Sequence, residues 1–384
     1  MYDFIISGAG PSGSYAAYIL SRSGFRVLQL EEHSSVGKPV ECTGLVSKRV
    51  IEMTGTGSIV NKVHGAHIYF PDDSSIHIGK EEETYVLERD RFDQDVSAMA
   101  TGAGTFLKLN SKVNDIKVSG EKVTVTYREN GNMREDLAYA IIGADGANSL
   151  TRKILFPGQR IERMVSAYQI DGATNMQDQD SVNVYLGSKY SRGFFGWAAP
   201  AGDLSRIGTA GFGMSRENFK NIYGKFSNPS KITITGGPIP ISSLHKTSGN
   251  RSILVGDAGG IVKPLSGGGI YTGMVSGEKA AETLIKAYEN EDFSEKFLET
   301  YHRSWRSSIG KELSRDLIVQ KFFARIGDES LTAMGRKLQK ENIRRIINEL
   351  GDIDYPSKVV MQVLIRSPSI MRHVIFPKRD RIGK

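Results

Sequence analysis

The stretch DFIISGAGPSGSYAAYILSRSGFRVLQLE, residues 3–31, decides the fold of this chain. It begins with a short apolar segment, DFIIS, which is typical of a buried strand. A glycine-rich turn follows, and then SYAAYILSRSG, whose small and apolar residues favour a helix. The segment RVLQLE predicts a second strand that ends at Glu31. Together these segments predict a strand–helix–strand unit of about thirty residues, which is the building block of α/β proteins.

The turn GAGPSG places Gly8, Gly10 and Gly13 in the pattern G-x-G-x-x-G. Such glycines let the backbone approach a pyrophosphate, and the helix N-terminus offers free N–H groups and a partial positive charge. The pattern alone is weak, but here it follows a strand and opens a helix. Glu31, at the end of the second strand, offers a carboxylate to ribose hydroxyls. In this context the unit predicts dinucleotide binding rather than a purely structural turn.

A second glycine-rich stretch, VGDAGGIVKPLSGGGIYTG, lies far along the chain at residues 255–273 and holds seven glycines in nineteen residues. Because each glycine loses more backbone freedom on folding than other residues do, such a cluster needs a reason. Gly256 and Asp257 follow an apolar strand-like segment. The triplet Gly267–Gly269 precedes a helical segment. The stretch therefore predicts a second place where backbone and ligand approach closely.

Between these loops the pattern alternates between helix and strand. RDRFDQDVSAMA predicts a helix that begins near Arg89, and IIGADGANSLTR places Asp145 after a buried strand. Asn130-Gly131 predicts a hairpin turn. Residues 160–248 are rich in strand-like segments and predict a sheet domain. From Gly273 onward the pattern is helical, and Ser294 is positioned to cap a helix whose apolar stripe we interpret as core: Phe297, Tyr301, Trp305, Ile309 and Leu313.

Composition narrows the function classes. The chain has 384 residues, 39% of them hydrophobic, and no apolar run long enough to span a membrane. Its N-terminus lacks a basic leader, and its single cysteine, Cys42, excludes an internal disulfide, so we expect a cytoplasmic protein. The net charge of +7 suits acidic ligands or an anionic membrane surface. We expect no nucleic-acid partner and no metal site, because basic residues form no stripe with aromatics and the seven histidines show no ligand spacing.

The four separated motifs, in this order, resemble the flavoprotein family of the p-hydroxybenzoate hydroxylase type over about the first 290 residues. The resemblance implies FAD as cofactor. It implies that the first glycine loop binds the ADP half, that the segment around Asp145 lies near the pyrophosphate, and that the late Gly-Asp loop binds the ribityl and flavin half. The residues expected at the cofactor are Gly8, Gly10, Ser12, Gly13, Glu31, Glu32, Cys42, Thr43, Gly44, Arg89, Val113, Asp145, Gly256, Asp257, Gly267, Gly268, Gly269 and Ile270.

Two shorter segments are similar to the geranylgeranyl reductases, which saturate isoprenoid chains. KPVECTGL, residues 38–45, carries their pattern P-x-x-C-x-G, and that resemblance implies that Cys42 lies near the flavin face as a candidate catalytic residue. GFFGWAAP, residues 193–200, falls where the family has an aromatic segment lining a lipid pocket. It departs from the family at Ala199, where a phenylalanine is expected. The expected substrate-contacting residues are Phe194, Phe195, Trp197 and Pro200.

The resemblance implies an FAD-dependent reductase of prenylated lipids, in which reduced flavin delivers hydride to one alkene carbon and an acid protonates the other. Ferredoxin and NAD(P)H both remain open as electron donors, since a second dinucleotide motif is lacking. A flavin-dependent monooxygenase acting on a lipid-like or aromatic substrate is the first alternative. An electron-transfer flavoprotein that docks to a quinone or a protein is the second.

The expected fold class is α/β (α+β overall), with a Rossmann-like FAD domain, an inserted antiparallel sheet domain and a helical C-terminal region. We assign residues 1–62, 88–156 and 249–290 to the first, 63–87 and 157–248 to the second, and 291–384 to the third. The C-terminal region combines an apolar stretch, Val359 to Ile365, with a basic end: Lys378, Arg379, Arg381 and Lys384. That pattern allows either peripheral membrane contact or a docked helix with a solvated tail.

Overall fold

The computed structural model describes residues 1–173, 176–213, 216–226 and 230–366, apart from the side chains of residues 80–81 and 230–232. The strands are β1 (Phe4–Ser7), β2 (Val27–Leu30), β3 (Leu45–Ser47), β4 (Ile59–Tyr69), β5 (Ser75–Leu87), β6 (Phe106–Lys108), β7 (Ser111–Ser119), β8 (Lys122–Glu129), β9 (Asn132–Ala138), β10 (Ala140–Gly143), β11 (Met164–Ala173), β12 (Ser181–Tyr185), β13 (Gly196–Ala201), β14 (Leu204–Gly211), β15 (Ser230–Pro240), β16 (Ser248–Gly249) and β17 (Ser252–Leu254).

The helices are α1 (Pro11–Arg22), α2 (Lys48–Thr54), α3 (Arg89–Gly102), α4 (Leu150–Leu155), α5 (Arg216–Tyr223), α6 (Ile270–Glu289), α7 (Glu295–Trp305), α8 (Lys311–Phe323), α9 (Asp328–Leu338), α10 (Glu341–Leu350) and α11 (Pro356–Arg366). A 3₁₀ turn spans Gly256–Gly259, and a π-helical turn, Arg306–Gly310, joins α7 to α8. No helix within the described residues is long and apolar enough to cross a bilayer.

A six-stranded sheet in the order β16-β17-β10-β1-β2-β6 organises the first part of the fold. Strand β1 lies between β10 and β2 and is parallel to both, and β17 continues the parallel set beyond β10. The strands β1, β2 and β10 are buried along their whole length, as parallel strands covered on both faces require. The parallel arrangement brings the carboxyl ends of β1, β10 and β17, and therefore the loops that follow them, to one edge of the sheet.

Helices α1 and α6 pack closely across one face of that sheet because small residues line their contact. A Cβ atom added at Gly273 would lie 2.2 Å from Ser12 Oγ, and one at Gly277 would lie 2.4 Å from the Ser12 carbonyl oxygen. One at Gly256 would lie 2.5 Å from the same hydroxyl. These glycines therefore set the spacing between the first glycine-rich loop and the second.

An eight-stranded, largely antiparallel sheet in the order β15-β11-β14-β13-β12-β4-β5-β3 forms the second layer. It contains the strand-rich segment expected between residues 160 and 248, together with a helix, α5, that the strand-like pattern did not predict. Strand β3 lies inside the segment 1–62 assigned to the FAD domain, yet it pairs with β5 in this sheet. Helix α5 covers the face opposite the one that meets the six-stranded sheet, where Ile222 fills the space over Gly196.

Several local predictions are confirmed. Strands β8 and β9 form the expected hairpin, with Asn130 at φ 47° and Gly131 at φ 88° in the turn. Ser294 caps α7, its hydroxyl accepting a hydrogen bond from the Phe297 N–H at 3.2 Å. The apolar stripe that follows is core: Tyr301 and Trp305 are buried, and their polar atoms bond to the Leu254 carbonyl and the Thr247 hydroxyl.

Candidate flavin and substrate site

The first glycine-rich loop has two kinds of glycine. Gly8 has φ +101°, and a Cβ there would lie 2.4 Å from the Ala144 carbonyl oxygen. A Cβ at Gly13 would lie 2.4 Å from the Gly8 carbonyl oxygen. Gly10 has nothing within 4 Å of its would-be Cβ, and among the described residues no side chain caps the α1 N-terminus that it begins. Gly8 and Gly13 therefore shape the turn, whereas Gly10 leaves space beside the free N–H groups.

Glu31 is nearly buried and supports this loop directly. Its Oε2 accepts a hydrogen bond from the Ala9 N–H at 2.9 Å, and its Oε1 accepts one from the His33 N–H at 3.0 Å. Glu32 is exposed and forms an ion pair with Lys112, and Val113 is buried in the core between the six-stranded sheet and the three-stranded sheet of β7–β9. Of these three predicted cofactor residues, Glu31 has the most direct link to the loop.

Arg152 joins the segment around Asp145 to the second glycine-rich stretch. Its Nη1 donates to the Ala258 carbonyl at 2.9 Å and its Nη2 to the Ala147 carbonyl at 2.7 Å. Asp145 itself orders the turn, since its carboxylate accepts hydrogen bonds from the Ser149 hydroxyl and from the N–H and hydroxyl of Thr151. The structure thus brings together two motifs that are more than one hundred residues apart.

The charges of Arg89 and Asp257 interact at the same edge of the six-stranded sheet. Burial lowers the pKa of Arg89, but the charge of Asp93 and the side chain of Cys42 raise it overall, so the guanidinium stays charged. Its Nη2 donates to Asp93 Oδ1 at 2.8 Å. Desolvation raises the pKa of Asp257 to about 6 despite the opposing charge of Arg89, and the carboxylate of Glu41 adds to that rise.

Just before α6, the second glycine-rich loop presents backbone rather than side chains. Gly267 has φ +70°, and a Cβ there would meet Ile239 at 3.4 Å and Phe194 at 3.6 Å. Gly269 begins α6, in which Ile270 is the first residue, and a Cβ at Gly269 would lie 3.0 Å from Asp257 Oδ1. A Cβ at Gly268 would lie 2.9 Å from the Lys263 side chain. The loop therefore touches the eight-stranded sheet on one side and the Asp257 carboxylate on the other.

These features fit FAD. An uncapped helix N-terminus beside Gly10 suits a pyrophosphate, and a carboxylate beside a side-chain-free loop suits a polyhydroxy chain ending in a flat ring. Arg89, which is buried and ion-paired with Asp93, also interacts electrostatically with Asp257 of the second loop. The two loops are held at the same edge by α1–α6 packing and by Arg152, so one elongated ligand can contact both.

The cysteine element, residues 38–44, contacts the eight-stranded sheet through Thr43. The Thr43 hydroxyl donates to Gln169 Oε1 at 2.8 Å, and Arg206 Nη1 donates to the Thr43 carbonyl at 2.7 Å. Cys42 is half-buried, and its sulfur accepts a weak hydrogen bond from the Gly44 N–H at 3.4 Å. Gly44 has φ +79° and leaves room for the side chains of Arg206 and Arg89.

The aromatic strip, which we define as Phe194, Phe195 and Trp197, lies on the same face of the sheet. Phe194 and Phe195 stack with ring centroids 4.5 Å apart, and Phe195 meets Trp197 edge-on at 6.1 Å. Trp197 Nε1 donates to Gln169 Oε1 at 3.1 Å, so Gln169 bonds to both the strip and the cysteine element. Pro200, the fourth expected residue, lies on the opposite face of β13 by strand alternation.

Gln169, Arg206 and Glu41 were not among the residues expected from the sequence. Gln169 and Arg206 sit in β11 and β14 with no local motif around them, and only the pairing of those strands places them at the cleft. Glu41 stood inside the quoted cysteine element. Its Oε2 lies 3.4 Å from the would-be Cβ of Gly237 on β15, and desolvation raises its pKa.

Comparison with known proteins places these observations in context. The FAD binding domain family matches residues 1–223. An uncharacterised protein of Methanocaldococcus jannaschii is 35% identical over 387 residues, covering 94% of this chain and 95% of its own. Digeranylgeranylglycerophospholipid reductase 2 of Methanopyrus kandleri is 28% identical and covers 97% of this chain and 98% of its own. A geranylgeranyl bacteriochlorophyll reductase-like structure from Thermoplasma acidophilum superposes with a TM-score of 0.84 at 25% identity, covering 96% of this chain and 99% of its own.

Proposed function

This chain belongs to the FAD-dependent flavoproteins of the geranylgeranyl reductase type, and from that premise we propose that it saturates isoprenoid double bonds of a membrane lipid precursor. The family, the fold class, the FAD cofactor and the oxidoreductase class expected from the sequence are confirmed by the comparisons. One structural observation carries the proposed substrate. The aromatic strip lies against the second glycine-rich loop and is linked to the cysteine element through Gln169.

An apolar chain suits this wall. Burying apolar surface contributes roughly 25 cal/mol per Å², so a long prenyl chain gains binding energy from each ring it covers. Val165, Ala210 and Ile241 back the strip, and Ile239 packs against the same cluster. The relatives named as digeranylgeranylglycerophospholipid reductases align over nearly the whole chain, which supports a geranylgeranyl lipid as the substrate class.

Both glycine-rich loops, Arg89 and Asp257 would hold FAD. When bound and reduced, FAD supplies a hydride equivalent, so saturation of an alkene also needs a proton at the second carbon. We propose that Glu41 holds that proton at Oε2, because desolvation raises its pKa and keeps the carboxyl protonated to a higher pH than an ordinary glutamate. For Cys42, the candidate catalytic residue expected from the sequence, we propose that its contacts with Gly44 and Arg89 orient this element beside the flavin.

The electron donor and the membrane contact are parts of the same proposal. Ferredoxin and NAD(P)H are both open as donors, and anaerobic mixing with each separates them by the rate of flavin bleaching. Helix α11 packs Val363 against α10 but exposes Met361 and Ile365, which gives the C-terminal region an apolar surface for peripheral contact. The basic residues from 378 onward lie outside the described residues. Liposome co-sedimentation that falls with salt supports the contact, and no sedimentation at low salt rejects it.

An anaerobic turnover assay tests the reductase proposal. The flavin is reduced with dithionite, a geranylgeranylated glycerophospholipid is added, and mass spectrometry follows the gain of two hydrogens per reduced bond. Cys42→Ala should slow the gain while FAD stays bound. Oxygen insertion into substrate after admission of O₂, with no saturation of any prenyl lipid, would instead establish the monooxygenase alternative.

A further inference from the structure

A second cluster of polar side chains lies on the sheet face turned away from the flavin site. His67 on β4 and His77 on β5 are directly paired, with ring centroids 4.6 Å apart. On β12, Asn183 pairs with His67 of β4 on one side and with Ala198 of β13 on the other. Ala198 directly follows Trp197 in β13. Since neighbouring residues of a strand point to opposite faces, the two histidines lie behind the aromatic strip.

Asp178, just before β12, completes the cluster. Its Oδ2 lies 2.8 Å from His67 Nε2, and the three side chains each offer one ligand atom within 4.8 Å of the other two. The Asp180 N–H donates to Asp178 Oδ1 at 2.8 Å, which leaves Oδ2 directed at the histidine. A backbone donor that fixes a carboxylate in this way is typical of the support that surrounds metal ligands.

A glycine pair makes room for the second ring. Gly65 and Gly79 face each other across β4 and β5, next to the histidine pair. A Cβ at Gly65 would lie 2.6 Å from His77 Nε2, and one at Gly79 would lie 3.2 Å from its Cε1. Any larger residue at Gly65 would displace the ring, so the local sequence is suited to holding His77 beside His67.

Charged side chains lie around the cluster. Asp180 and His64 line the same groove, which has a volume of roughly 330 Å³. The guanidinium of Arg344 on α10 brings a positive charge near His77. The carboxylates of Asp178 and Asp180 offset that charge.

We propose that His67, His77 and Asp178 bind one divalent transition-metal ion, with Zn²⁺ as the best match to two imidazoles and a carboxylate. The ion ties the segment before β12 to the β4–β5 pair, and water completes its coordination. The proposal departs from our expectation from the sequence that the chain has no metal site. Residues 67 and 77 do not have a recognised ligand spacing, and Asp178 joins them only through the fold. The proposal is independent of the reductase activity.

Zinc titration of the FAD-loaded full chain tests it. After dialysis against EDTA, calorimetry at pH 7.5 should detect one Zn²⁺ per chain, and Zn²⁺ should raise the melting temperature. His67→Ala and His77→Ala should each weaken binding by about tenfold or more. His245→Ala is the matched control, because His245 is an exposed histidine with a single carboxylate partner, Glu162, at 3.4 Å. It should leave zinc affinity unchanged.

A chemical probe on the wild type covers the case in which a variant fails to fold. Diethylpyrocarbonate modification mapped by mass spectrometry should show that Zn²⁺ protects His67 and His77 but not His245. The absence of stoichiometric zinc binding by the wild type overturns the proposal. So does unchanged affinity in a folded His67→Ala/His77→Ala variant, or equal modification of all three histidines with and without Zn²⁺.

Discussion

The two sides of the flavin cleft are built in different ways. On the side of the six-stranded sheet, the surface that we propose faces the cofactor consists of backbone: Gly10 at the start of α1 and Gly267–Gly269 at the start of α6. On the side of the eight-stranded sheet, the surface consists of side chains held by other side chains, such as Trp197 and Thr43 meeting at Gln169. Backbone surfaces suit a cofactor shared by many relatives, whereas side-chain surfaces can change with the substrate.

The largest expected effect separates the two kinds of glycine in the first loop. Gly8→Ala places a side chain on a backbone of positive φ and in a clash with the Ala144 carbonyl. The variant should lower the free energy of unfolding by about 3 kcal/mol or more. Gly10→Val projects into open space and should change apo-protein stability by less than about 1 kcal/mol, yet abolish FAD binding. Urea unfolding and flavin absorbance measure the two effects. Equal stability loss in both variants would contradict this division.

Glu41→Gln tests the chemistry assigned to the side-chain surface. Turnover of prenyl lipid should fall by about 100-fold, the usual size of a general-acid contribution, while FAD content stays the same. In the wild type, activity should decline as the pH rises past the raised pKa of Glu41, since the protonated carboxyl is the active form. The variant should lose that decline. Glu52→Gln, at an exposed ion pair with Lys48, is the control and should keep wild-type activity.

Trp197→Ala removes the end of the aromatic strip that bonds to Gln169. We expect KM for the lipid to rise by about tenfold, through lost apolar contact, with FAD affinity unchanged. The matched control is Trp305→Phe, because Trp305 is buried in the core of the six-stranded sheet and its indole N–H bonds to Thr247. That variant should lower the melting temperature and leave KM unchanged. Loss of FAD from Trp197→Ala would show that the strip contacts cofactor rather than lipid.

The smallest expected effect is a pH dependence of FAD affinity through Asp257, on the side of the six-stranded sheet. Asp257 has a pKa of about 6, and its carboxylate form accepts hydrogen bonds from hydroxyl groups. FAD affinity should therefore weaken as the pH falls from 7 to 5, by up to about tenfold, because the ligand favours the ionised form. Asp257→Asn should bind FAD more weakly at pH 7 and with no such slope. Fluorescence titration at several pH values measures both, and a parallel slope in the variant would assign the titration elsewhere.

The difference between the two sides also explains what the sequence could predict. Gly8, Gly10 and Gly13 stand within six residues, and Asp257 directly follows Gly256, so patterns of neighbouring residues reveal them. The β-α-β unit, helix α3, the Asn130-Gly131 hairpin and the Ser294 cap are likewise local features, and the structure contains all of them. Helix α5 was missed because it is a short, polar helix within strand-like sequence.

Long-range pairing accounts for the rest. Gln169 lies opposite Gly208 on β14, and a Cβ at Gly208 would lie 2.4 Å from the Trp197 ring. The strip therefore depends on β11 as well as on the neighbouring strands β13 and β14, which follow later in the chain. Arg206 reaches Thr43 across more than 160 positions. Asp178 meets His67 and His77 only because β12 pairs with β4. Patterns of residues that are close together in the sequence cannot predict these contacts.

The pairing of β17 with β10, and of α6 with α1, has a consequence for synthesis on the ribosome. The first glycine-rich loop is complete after thirteen residues, but its partners, Gly256 and Gly273, emerge only when more than two thirds of the chain has been made. Chains are made at about 5–20 residues per second, so the β1–α1–β2 unit waits roughly ten seconds or more with one face uncovered. If the two loops bind the cofactor as proposed, its loading is therefore a late event, because it needs both the first thirteen residues and the segment beyond position 255.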